Sequence, residues 1–166
     1  MQFDKVIFAT PPDQVLKLLG DPSEAERKRF GAWRANIATT IIHTDVGFYR
    51  RFKSVHYTEF DVFEKAEGDA GYNAFLNRLC GLTDAAPHYN LAYNLTEWVD
   101  PNQIIQTQQH HTPLYTVDAM RYRNEVIATN GENHTYHAGA YLGNGLHEGA
   151  ISSGLVVSRL LGGEEL

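Results

Sequence analysis

The strongest constraint on this chain lies near its end, where Gly139, Gly143, Gly145 and Gly149 fall close together. Before them stands a β-like run, residues 133–138. After them, residues 151–161 repeat apolar side chains at helical spacing. Strand, glycine-rich bend and helix N-terminus, in that order, is the arrangement that cradles a phosphate or pyrophosphate. Glycine lets the backbone come close to an anion, and the first N–H groups of a helix have no partner within it. The same spacing also describes a tight left-handed turn into an ordinary helix. On spacing alone both readings stand.

The remaining pattern predicts an α+β fold. Residues 6–10 read as a buried strand, four apolar residues and a threonine, stopped by Pro11 and Pro12. Pro12 suits the first turn of a short helix over 13–19, which Gly20 ends. Ser23 and Glu26 form a capping box, predicting a second helix to about Phe30. From Asn36 onward β-branched and aromatic residues dominate, and strands are expected over 37–43, 55–62, 69–79, 89–95 and 103–109. Short and medium connections between them imply a central, mostly antiparallel sheet. A helix over 117–128 and the closing strand and helix complete the set of flanking elements.

Composition narrows the function classes. Apolar residues make up 43% and charged residues 20%, with 20 acidic against 14 basic side chains and a net charge of −6. Nucleic acid and anionic membrane are therefore not expected partners, because both demand clustered Lys and Arg. Arg27-Lys28-Arg29 and Arg50-Arg51-Lys53 are short enough to be solvated faces. The single cysteine, Cys80, excludes an internal disulfide and, within an apolar run, is expected to be a buried small hydrophobe. No apolar run approaches the roughly 18 residues of a membrane span, and a cytoplasmic location is expected.

The chemistry-bearing residues form no familiar constellation. His110 and His111 are adjacent, so on a strand they face opposite ways. His43 and His56 are isolated, and His134 and His137 lack same-face strand spacing. No metal site is expected. Ser152-Ser153-Gly154 lies inside the closing helix and is no nucleophile elbow. No catalytic residue is singled out.

Whole words in the chain carry more. Residues 139–161, GAYLGNGLHEGAISSGLVVSRLL, resemble the closing segment of flavin-containing amine oxidase-like proteins. Residues 5–12, KVIFATPP, look like that family's hydrophobic strand ending in Ala-Thr. Residues 69–82 (DAGYNAFLNRLCGL), 89–95 (YNLAYNL) and 110–115 (HHTPLY) resemble strands and a loop of its substrate-domain portion. The matches follow the family's order and cover nearly the whole chain.

That resemblance implies the C-terminal portion of an FAD-dependent oxidoreductase, a single domain over 1–166 with no N-terminal βαβ unit. It implies that segments 6–9 and 135–138 lie side by side in an FAD-binding-type α/β layer. It assigns cofactor contact to Gly139, Gly143, Asn144, Gly145, Leu146, His147 and Glu148. The N–H groups of Gly145, Leu146 and His147 would face the cofactor, and the helix dipole would favour electron density on the flavin's pyrimidine side. Two departures limit it. The family's acidic ribityl-binding residue is replaced by Ala140, and the G-x-G-x-x-G fingerprint is missing. The expected chain is thus inactive alone, holds FAD weakly, and is completed by a separate N-terminal FAD-binding half or by self-association. The alternative is an autonomous domain that holds a small ligand or a protein partner without flavin.

Overall fold

The computed structural model describes residues 2–53, 58–82 and 87–163. Strand β1 (Val6–Phe8) leads into α1 (Pro12–Leu18), which opens on Pro12 as expected. Helix α2 (Glu24–Gly31) begins with the expected capping box. The Glu26 N–H donates to Ser23 Oγ at 3.2 Å, and the Ser23 N–H donates to the Glu26 carboxylate at 2.7 Å. Burial pushes the Glu26 carboxyl up, but the Ser23 hydrogen bonds outweigh it and its pKa lies below the usual range. Then come β2 (Arg34–His43), β3 (Phe60–Glu64), β4 (Ala70–Phe75), the one-turn α3 (Leu76–Leu79), β5 (Asn90–Tyr93) and β6 (Ile104–Leu114). Helix α4 (Val117–Ala128) starts at Thr116, whose hydroxyl accepts the Ala119 N–H. Strand β7 (Thr135–His137) and α5 (His147–Leu160) close the chain.

Contacts divide the chain into two compact units, Met1–Asn36 with His111–Leu166, and Ile37–His110. In the first unit β1 and β7 pair in parallel, with Val6 opposite Thr135 and Phe8 opposite His137. The two end segments thus lie side by side. Phe8, Val15, Phe30, Trp33, Val126 and Tyr141 form the core beside them. One expectation fails here. Val6 and Ile7 are 43% and 49% exposed, and Phe8 alone of the three strand residues is buried. A parallel sheet normally has both faces covered, whereas this two-stranded one leaves apolar side chains uncovered. The far edge of β7 is closed by a side chain. The Asn130 carboxamide accepts the His137 N–H at 2.6 Å and donates to the His137 carbonyl at 3.3 Å.

The second unit is a five-stranded antiparallel sheet in the order β3-β4-β5-β2-β6. Ile41, Phe48, Tyr49, Ala92, Leu95 and Val99 form its core. The expected strand over 69–79 ends early, at Phe75, because the chain turns into α3. Asn77 is the residue this turn buries; its carboxamide accepts the Tyr89 N–H and donates to the Pro87 carbonyl. Cys80 falls at the helix C-cap and is exposed, which corrects the expectation of a buried thiol. Residues 55–57 of the expected 55–62 strand, His56 among them, lie outside the described residues.

Candidate functional site

The closing segment is built by three close backbone approaches. The Ala138 N–H donates to the Phe8 carbonyl, ending the β1–β7 pairing. At Gly139 the backbone takes φ +155°, and a Cβ there would fall 2.9 Å from the Tyr141 ring. A short turn, Ala140–Leu142, follows, and the Ala140 carbonyl accepts the N–H groups of both Gly143 and Gly145. Gly145 has φ +82°, the left-handed region that suits glycine. Gly143 has φ −122° and ψ −130°. Space there demands glycine, since a Cβ on Gly143 would stand 2.6 Å from Gly149 Cα.

Asn144 organises the entry to α5. Its side-chain oxygen accepts the Leu146 N–H at 3.0 Å and the Gly149 N–H at 3.2 Å. This corrects the expected set of donors. The N–H groups of Gly145 and Leu146 are bound within the loop and do not face a ligand. Among the described residues, the main-chain N–H groups without a partner at this end are those of His147 and Glu148. Both residues are exposed, and the Glu148 carboxylate accepts the Ser152 hydroxyl. The exposed carboxylate sits where a helix dipole favours negative charge. All seven residues singled out from the sequence therefore lie on one continuous bend. They divide into loop builders (Gly139, Gly143, Asn144, Gly145), an exposed apolar residue (Leu146) and the helix's first two residues.

Two buried groups to which the sequence assigned no role stand in or next to this bend. His137 is 4% exposed, its ring stacked on Phe8 with centroids 5.5 Å apart and tilted against Phe30 at 4.6 Å. Its Nδ1 is buried without a hydrogen-bond partner. Burial holds this imidazole down at about 4; the Glu26 carboxylate pulls upward and the Arg29 cation downward. Tyr141, also buried, has an unpartnered hydroxyl, and burial raises its pKa. A lone histidine between Tyr136 and Ala138 reads from sequence as an ordinary strand residue. Nothing local signals that its ring is enclosed.

The second unit holds a buried polar network. The Asp45 N–H donates to His43 Nδ1, so the proton of the neutral ring is on Nε2, which donates to Asn73 Oδ1 at 3.0 Å. The Asn73 amide donates to Tyr49 Oη and to Asn90 Oδ1, and Tyr49 donates to the Asp61 carboxylate. Burial lowers the His43 pKa, with the Asn73 hydrogen bond opposing. These groups satisfy one another, so the network fixes how β2, β4 and β5 pair and offers no group to a substrate. His110 donates to or accepts from Thr40, and His111 pairs with Asp13 in the other unit's own structure. Among the described residues no three His, Cys, Asp or Glu side chains are grouped to hold a metal ion. Among them, too, no helix is long and apolar enough to cross a membrane.

Compared with known proteins, the chain matches no family model and no curated protein.

Proposed function

We propose that this chain is the C-terminal, flavin-contact and substrate-side part of an FAD-dependent amine oxidase-like oxidoreductase. The observation that carries the reading is the two free N–H groups of His147 and Glu148 at the start of a fourteen-residue helix, reached by a loop that leaves the parallel β1–β7 pair. The resemblance places a flavin at such a helix end. Bound there, the flavin would supply the redox chemistry. The residues of this chain would hold its polar edge with those N–H groups, and the positive end of the helix would stabilise negative charge gathering on that edge. Gly145 would hold the left-handed turn, against the Tyr115 side chain, that leads to those N–H groups. Ala140 brings no carboxylate for the ribityl hydroxyls, and the nucleotide half has no fingerprint, so affinity comes from the isoalloxazine alone. A separate N-terminal half, or a second copy, would complete the site.

The test is a fluorescence-quenching titration of the chain with riboflavin, FMN and FAD, with amide resonances followed. All three are expected to bind weakly and equally, shifting the His147 and Glu148 amides. A tightly held FAD, bound far better than riboflavin, would refute the reading of an incomplete site. No shift at those amides with any flavin would remove the loop from the functional residues.

A further inference from the structure

A cleft of about 540 Å³ lies in the first unit, where the end of α2, the start of β2 and the start of α4 come together. Three cations border it. Lys28 stands in the last turn of α2, Arg34 opens β2, and Arg121 is one turn into α4. All three are exposed. The Lys28 and Arg34 side chains make no hydrogen bond or ion pair with any described residue. Arg121 has one partner, Asp118, at 3.8 Å and in solvent, a pair of little strength. Neighbouring cations are used by the fold instead. Arg29 pairs with Glu125 and Glu132, and Arg123 donates to the Gly143 carbonyl. The carboxyl end of α2 meets the amino end of α4 at the cleft, so their dipoles oppose each other and side chains set the sign. Three cations against the single Asp118 carboxylate leave two positive charges, in a chain whose net charge is −6. Like charges gathered without a partner repel one another, and nothing in the fold offsets these.

We infer that this cleft binds a small phosphomonoester, its phosphate held by Lys28, Arg34 and Arg121 and its organic part against Tyr122. The charge follows from the lining, since a phosphomonoester carries about −1.5 to −2 near neutral pH and so matches the two positive charges left over. The geometry follows from the residue types. Each guanidinium presents a planar fork that can meet two oxygens of one phosphate, and the lysine adds a point charge. A carboxylate or sulfonate brings one charge and leaves the other unmatched. Tyr122, half-buried in the wall, supplies a ring and a hydroxyl for the rest of the molecule. A nucleic acid or an anionic membrane would also face the acidic remainder of the surface and be repelled. The cleft shares no residue with the closing bend and makes no use of flavin.

The test titrates the 15N-labelled chain with phenyl phosphate and with benzenesulfonate, near neutral pH and at fixed ionic strength, following the backbone amides. Phenyl phosphate is expected to shift the amides of residues 28–34 and 116–122 to saturation. It should bind about fivefold or more tighter than benzenesulfonate, which has the same ring and one charge less. Arg34→Gln and Arg121→Gln, both at exposed positions, should each weaken phenyl phosphate about threefold or more. Asp118→Asn removes the opposing charge and should tighten it. Arg27→Gln, an exposed cation of α2 outside the cleft, should leave the affinity unchanged. No saturable shift at those amides, equal binding of the two probes, or a loss in Arg27→Gln equal to that in Arg34→Gln overturns the inference. Neither probe is a flavin, and the amides followed exclude those of His147 and Glu148, so this inference and the flavin reading can fail separately.

Discussion

Replacing His137 by Phe should remove a specific part of the chain's acid sensitivity. The ring is enclosed between Phe8 and Phe30, and Phe preserves that packing while removing the titration. The folded-state pKa of about 4 lies below the unfolded value of roughly 6.5. The unfolded chain therefore binds the proton first. The stability due to the neutral ring is complete above about pH 6.5, is lost as pH falls, and stops falling near the folded value. Linkage over that interval gives a loss of about 2 kcal/mol between pH 7 and pH 5. The assay is urea unfolding of both proteins at the two pH values. Trp33 lies in the core of the first unit, so a Trp98→Phe background makes fluorescence report that unit. Acid-sensitive groups other than Glu26, which is coupled to His137, are common to both proteins and cancel in the comparison. The wild type should lose about 2 kcal/mol more than the variant. Equal losses in the two would show that the ring is hydrated or charged in the folded state, and the reasoning would fail.

Three further outcomes are expected. Gly143→Ala puts a Cβ 2.6 Å from Gly149 Cα and should cost about 1–3 kcal/mol by chemical denaturation, whereas Gly154→Ala meets nothing within 4 Å inside α5 and should gain about 0.5–1 kcal/mol; equal effects would show that the loop does not pack on the helix. Asn144→Ala should cost about 1 kcal/mol and speed exchange of the Leu146 and Gly149 amides, which its side chain now accepts; unchanged exchange would rule out the cap. The chain should self-associate at micromolar concentration through uncovered apolar residues, and Ile7→Glu should weaken this; sedimentation showing a monomer in both proteins would count against it.

Features set by neighbours in sequence were legible. The Ser23–Glu26 box, Pro12 at the first turn of α1 and the bounds of α4 all rest on contacts within four residues, which any close reading of the chain exposes. The α+β class followed from the change of pattern after Asn36. What was hidden depends on distant partners. Val6 and Ile7 carry strand-core residue types, but burial depends on a covering layer that local sequence does not specify. Cys80 sits in an apolar run, yet the turn at Asn77 sends it outward. In the closing bend, the glycines marked the place, but their reasons differ: Gly145 for its φ, Gly143 for a contact with a residue six positions on. The role of Asn144 was invisible because a carboxamide can satisfy the loop's own donors as readily as it can meet a ligand. Asn73, Tyr49 and Asp61 come from separate elements, so no spacing rule links them to His43.

The Asn130 side chain imitates a neighbouring strand, supplying one acceptor and one donor to the outer edge of β7. Any chain that joins the sheet there must displace this substitute, breaking two hydrogen bonds before making two like them. Backbone pairing then contributes little net drive for a strand to join at this edge. The edge is guarded by competition: a strand that joined it would gain no hydrogen bonds over the residue already in place.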